Sequence, residues 1–114
     1  MAEKRISCTE LRRRAYKESN LPYSFVYKIR KLFTGKSCPI CGANMDRDLD
    51  REFGIITSNR IPSVQHDLPI SKGGKHELGN ISVICKQCNI TLQDNISEFS
   101  NAEEVKKEWE ALNG

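Results

Sequence analysis

Two Cys-x-x-Cys pairs, Cys38-Pro39-Ile40-Cys41 and Cys85-Lys86-Gln87-Cys88, constrain the possible folds of this chain more than any other feature. Such pairs can bring four thiolates to the corners of a tetrahedron, and they predict a structural zinc site. The 43 residues between Cys41 and Cys85 exceed the usual finger spacing, so a further substructure belongs inside the loop that the metal closes. With 114 residues the chain makes one domain, whose small core benefits from such a staple. The fifth cysteine, Cys8, is left over and reads as a half-buried helix residue.

The segment MAEKRISCTELRRR lacks the apolar stretch of a signal peptide, and no apolar run is long enough to span a bilayer. No membrane partner is expected, and an intracellular location (cytoplasm or nucleoid) is. Thiols stay reduced there and favour metal over disulfides. The net charge of +3 is unevenly spread. Residues 1–36 carry ten Lys and Arg against three acids, a balance of +7 that leaves −4 for the rest. That asymmetry suits an arm that meets a polyanion.

Ser7-Cys8-Thr9-Glu10 has the capping-box pattern and predicts a helix to about residue 18, broken at Ser19-Asn20. Pro22 suits the first turn of a second helix. Phe25, Ile29, Leu32 and Phe33 form its apolar stripe, and Gly35 serves as a C-cap. Residues 46–52 read as a charged loop or short solvated turn. Residues 61–67 and 81–84 predict two strands around a loop containing Pro69, Gly73 and Gly74, with a helix from 86 to about 94. Ser100-Asn101-Ala102-Glu103 is a second capping box, followed by Val105, Trp109 and Leu112 on one apolar face. The expected division is a basic helical arm over 1–35, a core over 36–98 and a docked helix over 99–114.

The run VQHDLPISKGGKHELGNISVICKQCN, with CPICG upstream, resembles the HNH endonuclease family in the variant whose last letter is Asn. The similarity covers roughly residues 36–95. It implies an α+β fold: a small ββα-metal hairpin and helix, stapled by a four-cysteine zinc site and flanked by N- and C-terminal helices.

Phosphodiester hydrolysis needs a base for water, a hard cation at the phosphate and a rigid frame. His66, at a strand end beside a loop, is assigned as general base because neutral imidazole is available near working pH. The resemblance gives Asn80 the task of bridging the loop and holding the histidine, which its two-sided amide can do. It makes Asn89, directly after Cys88, a ligand of the catalytic cation, Mg²⁺ or Mn²⁺. His76, between charged neighbours, reads as an ordinary structural or surface histidine. Gln65 departs from the family, many members of which carry a metal-ligating Asp just before the base. The cation is then left to Gln65, to Asp67, or to Asn89 with a DNA phosphate. Strand alternation puts Asp67 on the face of Gln65 and His66 opposite, unless the strand breaks at His66. Four thiolates leave the zinc no open position for water, so Cys38, Cys41, Cys85 and Cys88 have a structural role.

The family acts on DNA. Arg12, Arg13, Arg14, Lys28, Arg30, Lys31 and Lys36 are candidate backbone contacts, with Lys72 and Lys75 nearer the site. Nothing in the sequence is a base-reading element. The expected function is a metal-dependent DNA endonuclease. The alternative is a zinc-stabilised nucleic-acid-binding module with weak or no cleavage. A treble-clef-like protein-interaction domain explains the cysteines but leaves His66, Asn80 and Asn89 as coincidence. One such site handles one phosphodiester at a time, so cutting both strands calls for a homodimer.

Overall fold

β1 (Pro62–His66) and β2 (Ile81–Cys85) form an antiparallel ribbon in register Pro62↔Cys85, Val64↔Val83 and His66↔Ile81. This is a computed structural model, and it describes residues 8–47, 59–93, 95–96 and 99–113. Around the ribbon lie α1 (Cys8–Glu18), α2 (Phe25–Leu32), a 3₁₀ turn (Ile70–Lys72), α3 (Lys86–Leu92) and α4 (Ala102–Asn113). Among the described residues this is a small α+β fold with one two-stranded sheet and four α-helices. No described helix is long and apolar enough to cross a membrane.

A two-stranded ribbon is marginal alone, and its persistence needs packing and satisfied backbone groups. β2 is buried at all five positions. Its side chains join Phe25, Ile29 and Phe33 of the α2 region, Met45, and Val105 and Trp109 of α4 in one core. Trp109 meets Phe25 edge to face, with centroids 4.8 Å apart, an arrangement that adds about 1 kcal/mol to the burial of the rings. Side chains also meet the outward-facing backbone groups of both strands. Arg30 Nε donates to Pro62 O (2.8 Å) and Asn89 Nδ2 to Val64 O (3.1 Å). On the other rim Asn101 brackets Val83, accepting from its N–H (2.9 Å) and donating to its C=O (2.8 Å), and Cys85 N donates to Cys38 Sγ (3.5 Å).

Several local expectations are displaced. α2 begins at Phe25, after a turn in which Phe25 N–H donates to Pro22 O, so Pro22 precedes the helix. The chain leaves α2 at Phe33, the C-cap, and Gly35 lies two residues further on, its N–H bonded to Met45 O. α4 starts one residue later than a Ser100 cap implies. Asn101 occupies the cap position, its C=O taking the Val105 N–H, while Ser100 Oγ accepts from Ala102 N. Val105 and Trp109 are buried but Leu112 is exposed, because the last turn of α4 runs past the core. Ser7, the Cys8 side chain and residues 48–52 of the charged stretch lie outside the described residues.

The loop joining the strands is closed tightly. Gly73 takes φ +93° at the end of the 3₁₀ turn, a left-handed conformation that favours glycine. A Cβ on Gly74 would lie 1.7 Å from the carbonyl oxygen of Leu68, so that backbone passes where any side chain would stand.

Candidate functional site

His66 closes β1 and is half-buried. Its Nε2 lies 2.9 Å from Nδ1 of His76, which the sequence reads as a structural or surface histidine. His76 is 4 % exposed. The Tyr16 ring of α1 lies over it at 4.1 Å between centroids, and Phe25 meets it edge to face at 5.7 Å. Ser19, just beyond α1, donates its hydroxyl to the His76 carbonyl. Burial, then the neighbouring His76, then the charge of Arg12 lower the pKa of His66 from 6.5 to about 4. Burial also lowers that of His76. Both imidazoles are therefore neutral near pH 7, the state a proton acceptor needs.

Asn80 ties the two ends of the loop together. Its Oδ1 accepts from Leu68 N (2.8 Å), and its Nδ2 donates to Leu68 O (3.1 Å) and Lys75 O (2.8 Å). Asn89, in the first turns of α3, donates Nδ2 to Ser63 Oγ (2.8 Å) and to Val64 O (3.1 Å). A carbonyl can only accept, so the nitrogen must face β1, leaving Oδ1 as the oxygen available to a cation. Gln65 is 5 % exposed, and its buried Oε1 and Nε2 have no hydrogen-bond partner among the described residues. An orphaned buried amide is uncommon and calls for a missing partner. A cavity of about 300 Å³ is lined by His66, Gln65, Asn89, Arg12, Tyr16 and the 3₁₀ turn, among others. Gln65 and Asn89 both line this cavity, and an amide oxygen is a neutral ligand of the kind a hard divalent cation accepts.

Asp67 stands apart from this cavity. Its carboxylate accepts from Ser82 Oγ (2.6 Å) and Ser100 Oγ (2.5 Å), linking β1 to β2 and to the start of α4. The structure thus brings His66, Gln65 and Asn89 together, gives Asp67 to the serines, and leaves Asn80 to the loop.

The four cysteine sulfurs lie within 4.8 Å of one another, and those of Cys41 and Cys85 are 3.7 Å apart. A tetrahedron with Zn–S bonds of about 2.3 Å has sulfurs roughly 3.8 Å apart, so the cluster fits zinc. Burial raises the Cys38 thiol, but backbone amides at Cys41, Cys85 and Ile40 outweigh it and bring the pKa down to about 7. Burial, with the neighbouring sulfurs, pushes Cys88 well up, and burial raises Cys85. Four crowded thiols do not ionise together without a cation among them.

The basic residues separate by what they touch. Arg13 and Arg14 pair with Glu10, Lys36 reaches Glu104 and Glu108, Lys31 lies over the Tyr27 ring, and Arg30 braces Pro62. Arg12 lines the cavity. Sequence reasoning gave no role to His76, Tyr16 or Ser63. The glycine-rich spacing from His66 to His76 was visible, but the cover that buries His76 comes from α1, some sixty residues earlier in the chain.

Residues 54–103 match the family model described as HNH endonuclease, in agreement with the resemblance drawn from the sequence. The match supports a nuclease. No curated protein and no solved structure matches the chain.

Proposed function

From the match of residues 54–103 to the HNH endonuclease model, we propose that this protein is a metal-dependent DNA endonuclease with His66 as its general base. The observation that carries the reading is the single cavity shared by His66, Asn89, Gln65 and Arg12, which come from three separate elements. Nδ1 of His66 accepts a proton from water, the oxygen attacks phosphorus, one P–O ester bond breaks, and the departing oxygen takes a proton from solvent. A divalent cation, Mg²⁺ or Mn²⁺, held by Asn89 Oδ1 and Gln65 Oε1, would offset the charge that builds on the phosphate. Arg12 binds a phosphate oxygen and positions the backbone, with Lys72 and Lys75 contributing contacts at the loop. Asn80 keeps the loop closed, so that His66 is held at the end of a rigid strand. The zinc cluster fastens β2 and α3 to the segment around Cys38.

The test is relaxation of supercoiled plasmid with Mg²⁺, Mn²⁺ or EDTA, comparing wild type with His66→Ala. Metal-dependent relaxation that His66→Ala abolishes is the expected result. Cleavage surviving His66→Ala would remove the base assignment. A second reading, a zinc-stabilised nucleic-acid-binding module with weak or no cleavage, is favoured by the neutral Gln65 where a carboxylate would bind a cation more tightly. Plasmid binding without relaxation in any metal would establish it.

A further inference from the structure

The histidine pair is not explained by the roles above. His66 alone would suffice as a base, yet a second imidazole is held against it with evident structural investment. Tyr16 covers His76, Phe25 abuts its edge, Ser19 holds its carbonyl, and its Nδ1 lies 2.9 Å from His66 Nε2. In a hydrogen bond between two neutral imidazoles one nitrogen donates and the other accepts, so the pair has two arrangements. If His76 Nδ1–H donated, His66 would carry its own proton on Nδ1, and the nitrogen away from His76 could not take a proton from water. If His66 Nε2–H donates, His66 Nδ1 keeps its lone pair, and His76 carries its proton on Nε2. Only the second arrangement yields a base at the cavity.

Resting on the reading of His66 as base, we propose that His76 is a positioning residue: its Nδ1 accepts the His66 Nε2–H and thereby fixes the tautomer and ring orientation that leave Nδ1 of His66 open to water. When His66 takes the proton from water it becomes an imidazolium, and its Nε2–H bond to His76 becomes charge-assisted and stronger. The stabilisation is thus larger in the transition state than in the resting protein, which places it in kcat and not in substrate binding. His76 does this without carrying a charge, which suits a small site that already faces Arg12. The residues that bury His76 gain a purpose as well. Tyr16 and Ser19 belong to the N-terminal part of the chain, outside the 54–103 match, and through them that part sets the geometry of the base.

The experiment compares two variants in the full, metal-loaded chain. His76→Phe keeps the volume and the aromatic contacts and removes the acceptor. His76→Asn offers Oδ1 in place of Nδ1. The expected result for His76→Phe is a fall in kcat of roughly ten- to hundredfold, of the kind seen when a partner that orients an imidazole is lost, with KM for plasmid unchanged. His76→Asn recovers most of that loss. Wild-type kcat in His76→Phe, or equal losses in two folded variants, overturns the proposal. The chain has only two histidines, so ¹⁵N-histidine labelling gives a directly interpretable imidazole spectrum. A proton on His66 Nε2 with Nδ1 bare is expected, and a proton on His66 Nδ1 overturns the proposal even if His76→Phe does not fold. A wild type that cleaves nothing, or cleavage that survives His66→Ala, counts against the proposed function instead, and the tautomer still decides the pair.

Discussion

At the residue level the site is built from amides whose orientation is dictated by their neighbours. Asn80 makes three hydrogen bonds across the loop. Its replacement by Ala should cost about 2 kcal/mol, allowing for partial exposure of the bonds, as measured by urea unfolding. Gln65 was recognisable from sequence as the place where the family pattern fails, and the structure adds that its amide is buried without a partner among the described residues. Gln65→Asp tests what that amide awaits. A buried carboxylate without a cation should lower the melting temperature, added Mn²⁺ should restore it, and half-maximal cleavage should need less metal than in wild type. An unchanged metal requirement would remove Gln65 from the cation site. The roles proposed for His66, Asn80 and Asn89 could be read from the sequence because their order and spacing carry chemistry. A role for His76 could not, because Lys75 and Glu77 beside it look solvated, and its cover comes from the distant Tyr16 and Phe25.

Among the elements, the two strands and the helix that starts inside the second cysteine pair were legible, since β-branched runs, a Pro/Gly loop and the knuckle all mark their limits. The ends of the helices were less so. Local pattern placed a cap at Ser100 and a core position at Leu112, but tertiary contacts decide both: Asn101 is drawn to Val83, and the last turn of α4 has no core beneath it. The loop between the strands is the element least tolerant of change. Gly74→Ala forces a Cβ into the Leu68 carbonyl, so it should destabilise the protein by more than about 2 kcal/mol and weaken the hold on His66. Thermal unfolding and plasmid relaxation should both register it. A variant with wild-type melting would show that the loop can move aside.

Over the whole molecule, one core draws on α2, β2, α4 and two of the four cysteines. Adding a chelator to protein loaded with zinc should therefore collapse both far-UV and near-UV circular dichroism, whereas His66→Ala should leave them intact. Protonation of His66 gives a second global response. Its pKa is about 4 when folded and 6.5 for an unperturbed imidazole, so between these values the unfolded chain takes up a proton that the folded one refuses. Stability falls as pH drops from 6.5 towards 4, and His66→Gln, which has no such group, should lose less melting temperature over that window. A parallel decline in both proteins would remove His66 as its source. The side chains that brace the ribbon carry one more consequence. A two-stranded sheet has two rims, each a template on which an unrelated strand can add, and such addition is how many small β structures polymerise. Arg30 and Asn89 occupy one rim, and Asn101 and Cys38 the other. Asn101→Ala would uncover Val83, and the expected outcome is a folded protein that scatters light on standing while the wild type stays clear.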